Sequence, residues 1–264
     1  MKICLIGPGI MPIPPEGWGG VEHLIWNFHN QLKKVGDEVT IVNTQNLREV
    51  VEVVNDGNFD AVHLHYDQYA EIMPHLKCGK KMITSHYPYL ENPEPQYVFL
   101  YDLLNKSESH VVSLSDRIKK EFVARGIDST NVSVLPCGID TELYTLDETN
   151  VLYSNKSIVV GKLEPRKRQA FLQHKDLNID FIGNNAAGLG LVLSEQSTAN
   201  LDLSQPFITV IPDDKLDDTA YLNQKIKENR KISLSMRKEI RKYCFDNFDW
   251  SSIINQYKSI IESI

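Results

Sequence analysis

The apolar positions of the chain fall into short β-branched runs, separated by stretches whose apolar residues recur every three to four positions. Lys2-Ile3-Cys4-Leu5-Ile6 is the first such run, and it reads as a buried strand. A glycine and proline loop from Gly7 to Gly20 follows, then an amphipathic helix from about Val21 to Val35. Gly36 breaks that helix, and Val39-Thr40-Ile41-Val42 completes a βαβ unit. The alternation continues with a helix over 46–55, strands over 59–65 and 81–85, a helix over 96–106 and a strand over 110–114. Ser115 is placed to cap a helix running to about Arg125, and Val132 to Leu135 forms another strand. Alternating strand and helix over about 135 residues are the pattern of a doubly wound parallel sheet.

After Pro136 the periodicity weakens as far as Asn155, which reads as a linker to a second domain. There, strands are expected over 157–160, 178–183, 189–194 and 207–212, with helices over 217–229, 234–245 and from about Ser251. Only Asn184 to Gly188 separate the second and third of these strands. A parallel crossover needs about a dozen residues or more, so either a hairpin forms there or a unit has been lost.

Composition narrows the classes. The chain has 264 residues, 42% of them apolar and 24% charged, which is ordinary for a soluble globular protein. A formal net charge of −7 argues against a nucleic-acid or membrane-surface binder, so basic clusters are read as local sites. Cys4, Cys78, Cys137 and Cys244 show no Cys-x-x-Cys pairing, which fits a reducing compartment. With no signal-peptide pattern and no apolar run near the ~20 residues of a membrane span, the expected location is cytoplasmic, without a transmembrane segment.

Three stretches carry candidate chemistry. Val159-Val160-Gly161-Lys162-Leu163-Glu164-Pro165-Arg166-Lys167-Arg168-Gln169 reads as strand, tight turn and basic helix start. It is either a solvated basic first turn or an anion site, in which free N–H groups and the ammonium groups of Lys162 and Lys167 hold a phosphate. His63, His65 and Asp67 share one face if their strand continues, and His-x-His-x-Asp is a metal-ligand spacing. Histidines lining a cleft at the strand end are the competing reading. His86, in Thr84-Ser85-His86-Tyr87-Pro88, lies just past a strand end, where binding and catalytic residues of open sheets collect. Gly17, Gly19 and Gly20 do not spell a dinucleotide-binding fingerprint.

In order along the chain, several blocks resemble the family 4 retaining glycosyltransferases. They are Gly19-Gly20-Val21-Glu22, Gly36-Asp37-Glu38-Val39-Thr40, Phe59-Asp60-Ala61-Val62-His63, Ser85-His86 and Val112-Ser113-Leu114-Ser115. Val134-Leu135-Pro136-Cys137-Gly138-Ile139-Asp140 is similar to the family's Pro-Asn-Gly-Val-Asp hinge, and Val160-Gly161-Lys162-Leu163 with Lys167 to its basic motif. Phe248-Asp249-Trp250 is similar to the Phe-x-Trp that precedes a last helix crossing back to the first domain.

The resemblance implies an α/β fold of GT-B type, with two Rossmann-like domains of which the second is shortened. Residues 1–150 would be the acceptor-side domain, 151–247 the donor-side domain and 248–264 the returning helix. It further implies transfer of a sugar from a nucleotide-diphosphate sugar to an acceptor (glycan, lipid or small molecule), with retention. No metal and no cofactor beyond the donor are implied. Lys162 and Lys167 would hold the diphosphate, Gly19 and Gly20 would line the cleft beside it, and His86 would contact the transferred sugar. Lys162 stands where the family usually has Arg, which keeps the charge without the bidentate fork. Ala186-Ala187-Gly188-Leu189-Gly190-Leu191-Val192 looks like the segment that follows the family's Glu-x7-Glu motif, and on that alignment both glutamates are absent. The missing glutamates keep open a non-catalytic glycan- or partner-binding relative, and the His-x-His-x-Asp spacing keeps open a metallohydrolase using His63, His65 and Asp67.

Overall fold

The structure is a computed structural model, and it describes residues 1–16, 19–86, 98–145, 157–160, 172, 179–182, 191–194 and 201–264. The chain divides into two compact units, one of Met1–Ile139 with Phe248–Ile264 and one of Asp140–Asn247.

The first unit alternates β1 (Lys2–Ile6), α1 (Gly20–Lys34), β2 (Glu38–Val42), α2 (Leu47–Gly57) and β3 (Ala61–Leu64). A 3-10 helix (Asp67–His75) leads to β4 (Lys80–Thr84), α3 (Phe99–Lys106), β5 (His110–Ser113), α4 (Asp116–Ala124) and β6 (Val132–Val134). The six strands form one parallel sheet in the order β2-β1-β3-β4-β5-β6. This is the doubly wound α/β sheet that the alternation predicts.

Successive side chains point to opposite faces, so each central strand feeds two cores. Cys4, Ile6, Val62, Leu64, Ile83 and Val111 face one way, against Val50 and Val54 of α2, Met73 of the 3-10 helix, Leu104 of α3 and Phe122 of α4. Ile3, Leu5, Ala61, Met82 and Val112 face the other, against Ile25, Phe28 and Leu32 of α1. Burying each large apolar side chain contributes about 1.5–3 kcal/mol. On the second face the covering layer is completed by the C-terminal helix (Trp250–Ser263), whose Trp250, Ile253, Ile254, Tyr257 and Ile261 are buried there. Lys80 fastens the end of that helix by donating from Nζ to the carbonyls of Ile261 at 2.5 Å and Ile264 at 2.9 Å. These carbonyls have no partner within the helix.

Caps set the helix starts. Asn46 accepts from the Glu49 N–H at 3.4 Å and Ser115 from the Ile118 N–H at 3.3 Å, so α4 starts where its sequence predicts. Beyond Leu64 the strand expected over 59–65 stops, and the chain turns into the 3-10 helix, which no apolar period announced. Its buried Ala70, Ile72 and Met73 pack on the apolar core instead of extending the sheet.

In the second unit β7 (Ser157–Val160) pairs in parallel with β8 (Ile179–Ile182), and β9 (Leu191–Ser194) pairs in parallel with β10 (Ile208–Ile211). β8 and β9 lie in different two-stranded sheets, so they do not form a hairpin with each other among the described residues. α5 (Thr219–Ser235) runs past its expected end at Asn229. The Asn229 amide donates to the Phe207 carbonyl and to Thr209 Oγ1, each at 2.9 Å, and this holds a residue of low helix propensity inside the helix. Leu222 and Ile226 of α5 pack on Ile211 of β10. α6 (Arg237–Phe248) follows, and the C-terminal helix is α7.

Candidate functional site

The strand order reverses between β1 and β3. In open α/β sheets ligands bind at the carboxyl ends of the strands at such a switch point. The loop leaving β1 is built for close backbone approach. Asn43, just after β2, accepts from the Gly9 N–H and donates to the Met11 carbonyl, each at 2.8 Å. A side chain at Gly7 would stand 2.5 Å from Asn43 Oδ1, and one at Gly9 (φ +67°) 2.4 Å from the Thr44 backbone. From the next strand end, Tyr69 donates its hydroxyl to the Pro8 carbonyl at 3.0 Å.

This loop delivers the chain to the start of α1. Gly19 occupies the N-cap with φ 136°, and among the described residues no side chain caps the helix and the space over Gly20 is open. The first-turn N–H groups therefore depend on solvent or a ligand, and a helix start favours an anion. Glu22 is buried in that turn, and its Oε2 lies 2.9 Å from where a Gly19 side chain would begin. Gly19 and Gly20 thus stand at the carboxyl edge.

Three imidazoles lie at the neighbouring strand ends. Parallel register places His63 beside Met82 and Leu64 beside Ile83, so His63, His65, Thr84 and His86 occupy one face. His63 Nε2 and Thr84 Oγ1 are 2.7 Å apart, and His65 Nδ1 and His86 Nε2 are 3.1 Å apart. The His63 and His65 ring centroids are separated by 3.9 Å and those of His65 and His86 by 5.3 Å. Phe28 of α1 contacts both His63 and His65, and Tyr257 of α7 stacks on His63 at 5.5 Å. The gap lined by these rings, Pro136 and Cys137 is about 10 Å³, room for about one water and too little for a ligand group. His63 and His65 are sealed at 0% and 1% exposure, whereas His86 is half-buried and is the ring that a ligand could reach.

Burial keeps the cluster neutral. Desolvation, with the positive charge of His86 as a smaller cause, pushes the imidazolium of His63 down to about 3. Desolvation alone takes His86 to about 4, and His65 lies well below the usual histidine range, first through burial and then through its two neighbours. At neutral pH these rings can donate or accept a hydrogen bond but carry no charge.

The metal-ligand reading of His63, His65 and Asp67 fails on geometry. The strand ends at Leu64, so Asp67 leaves the shared face and its Oδ2 accepts from the buried Ser85 hydroxyl at 2.6 Å. Among the described residues no group of three or more His, Cys, Asp or Glu is placed to hold a metal ion. Thr84, Phe28 and Tyr257, which complete the cluster, were not singled out from sequence. The signal for Thr84 was available, because period two puts it on the face of His86. Phe28 and Tyr257 arrive through helix packing, which no local pattern reports. Lys162 and Lys167 lie outside the described residues, as do Arg166 and the expected helix start at Pro165.

Two of the sequence blocks meet directly. Ile139 forms a bridge with Asp249 and donates its N–H to the Phe248 carbonyl at 2.7 Å. Gly138 lies against Trp250 so closely that a side chain there would stand 2.3 Å from the indole.

Residues 42–143 match the family model described as Glycosyltransferase Family 4. No curated protein sequence matches the chain. Among solved structures, HepE of Anabaena in complex with UDP-glucose is similar with a TM-score of 0.64 at 13% identity, covering 100% of both chains. The sucrose-phosphate synthase of Thermosynechococcus elongatus is similar with a TM-score of 0.67 at 12% identity, over 99% of this chain and 98% of that one. The lipopolysaccharide outer core galactosyltransferase WaaB follows at 0.58 and 11%, over 100% and 99%. Residues 42–143 are thus similar to the Glycosyltransferase Family 4 domain, and the chain has the α/β fold of the GT-B glycosyltransferases.

Proposed function

We propose that the chain is a glycosyltransferase that moves a sugar from a nucleoside-diphosphate sugar to an acceptor hydroxyl, with retained anomeric configuration and without a required metal. The observation that carries this reading is the carboxyl edge of the first sheet, where an uncapped helix start at Gly19 and Gly20 and the half-buried His86 both stand. The family match over residues 42–143 supports it, as does the likeness to HepE, which binds UDP-glucose. In this reading residues 1–150 are the acceptor side, 151–247 the donor side and 248–264 the returning helix.

Lys162 and Lys167 hold the diphosphate, backbone N–H groups at Gly19 and Gly20 lie beside it, and His86 contacts the transferred sugar. The bond between the anomeric carbon and the phosphate oxygen breaks, and its electron pair leaves on the diphosphate. The acceptor oxygen bonds the anomeric carbon from the same face, and its proton passes to a departing phosphate oxygen. Charge develops on the leaving group, which is where fixed cations and N–H donors lower a barrier most. The acceptor is a glycan, lipid or small molecule, and the reaction takes place in the cytoplasm.

The test is a panel of nucleotide-sugars, UDP-glucose first, with release of nucleoside diphosphate as the readout. Lys167→Ala is expected to lower kcat/KM by about 100-fold or more. Absence of turnover with every donor, or full activity in Lys167→Ala, would overturn the reading.

A further inference from the structure

The histidine cluster contains more order than contact with a sugar requires. His65 Nδ1 and His86 Nε2 are at hydrogen-bond distance, 3.1 Å, so one of them holds the proton and the other accepts it. Both rings are neutral near pH 7, because burial disfavours the cation in each. Each ring therefore has one N–H and one lone pair, and the assignment of one determines the other.

Two arrangements satisfy the pair. In the first, His86 donates from Nε2, which puts the proton of His65 on its own Nε2. That atom is buried and has no hydrogen-bond partner among the described residues. A buried N–H without an acceptor is among the rarest defects of folded proteins. In the second, His65 donates from Nδ1 and the atom left unpaired is a lone pair. His86 then accepts at Nε2 and carries its proton on Nδ1. His63 shows the same preference, with Nε2 engaged by Thr84 and an unpartnered Nδ1.

We propose that His65 is a positioning residue for His86: its Nδ1–H donates to His86 Nε2, which locks the His86 ring in the Nδ1–H form and presents a hydrogen-bond donor to the bound ligand. His63 and Phe28 act behind it. The His63 ring packs on His65 at 3.9 Å and Phe28 at 5.8 Å, so His65 cannot rotate away from His86. The chemistry that such a donor recognises is an oxygen acceptor, a sugar hydroxyl or a phosphate oxygen. A general base at His86 is excluded, because its one lone pair is already taken by His65. The consequence for turnover rests on the glycosyltransferase reading above, whereas the tautomer itself does not.

The experiment is a long-range proton–nitrogen NMR spectrum of the ¹⁵N-labelled, ligand-free protein near pH 7.5, which distinguishes the two neutral tautomers of each histidine. His86→Ala identifies the His86 signals by their loss. In the native chain His86 is expected as the Nδ1–H form; an Nε2–H pattern overturns the proposal whatever the donor panel shows. His65→Leu is expected to return His86 to a mixture of tautomers, and His65→Asn, whose amide nitrogen falls near the position of Nδ1, to restore the Nδ1–H form. An unchanged His86 pattern in His65→Leu also overturns it. If His65→Leu does not fold, the native spectrum and His65→Asn decide alone. Where donor turnover is measured, kcat/KM is expected to fall about tenfold in His65→Leu and to recover in His65→Asn.

Discussion

On one side of the first sheet the buried row Cys4, Ile6, Val62, Leu64, Ile83 and Val111 is apolar, and the buried polar groups at its carboxyl end are paired, Ser85 with Asp67 and Ser113 with the carbonyls of Ser115 and Ser133. On the other side Ile3, Leu5, Ala61 and Met82 give way, toward the carboxyl ends of the strands, to His63, His65, Thr84 and His86. The backbone and its period are the same on both sides. What differs is the cover: the apolar side is closed by α2, the 3-10 helix, α3 and α4, which lie within the sheet's own alternation. The side that carries the histidines is closed by α1 and α7, from opposite ends of the chain. Burying polar groups costs free energy unless they are paired, and on the second side buried atoms of His63, His65 and Tyr257 have no partner among the described residues. The comparison teaches that both faces bury an apolar core, and that the second accepts a penalty where it holds rings at the carboxyl edge.

The largest effect should come from the apolar face. Ile83→Ala removes a fully buried side chain and should lower the unfolding free energy by about 2–5 kcal/mol in a denaturant titration, with turnover per folded molecule unchanged. Loss of turnover at constant stability would dissolve the division between the faces. The second effect is a pH response specific to the other face. His63 and His86 take up protons in the folded chain only at about 3 and about 4, against 6.5 for an ordinary histidine. The unfolded chain therefore binds protons that the folded chain refuses, and stability is full above pH 6.5 and falls as pH drops toward 4. At pH 5 the two rings cost about 2 kcal/mol each. His65 and His110 are also pushed down by burial and add to the loss in the same direction. The decisive comparison is between native chain and His63→Phe at pH 7 and pH 5, where the variant should lose less; an equal loss would place the proton uptake elsewhere.

Smaller effects test how α7 closes the histidine face. Gly138→Ala presses a methyl group into the Trp250 indole and should cost about 1–3 kcal/mol, with a shifted tryptophan emission. Unchanged stability and emission would mean that the contact is not tight. Asp249 accepts from the Ser251 N–H at 2.8 Å at the start of α7, and Asp249→Ala should cost about 1 kcal/mol. A similar loss in Asn46→Ala, which caps α2 on the apolar side, would show that the two covers are fastened alike.

Much of the first unit was legible because its signals are local. The β-branched runs become β1 to β6, Ser115 caps α4, and the alternation predicts the parallel sheet that forms. His86 was singled out from its place after a strand, and the structure places it beside His65 as the one ring of the three that is not sealed. The metal reading of His63, His65 and Asp67 assumed that the strand continues, and packing of Ala70, Ile72 and Met73 ends it instead. The end placed at Asn229 was wrong for a similar reason, since two hydrogen bonds from β10 and its approach outweigh the local preference of asparagine.

By itself the sequence determined the elements, their alternation and the ordered motif blocks that resemble the family 4 glycosyltransferases, since each of these rests on residues within a few positions of one another. The tertiary structure alone decided the strand order that sets His65 against His86, the seat of Trp250 on Gly138, and the closing of the histidine face by Phe28 and Tyr257. Those contacts join residues far apart in the chain, and a helix or strand pattern says which side an element buries without saying against what.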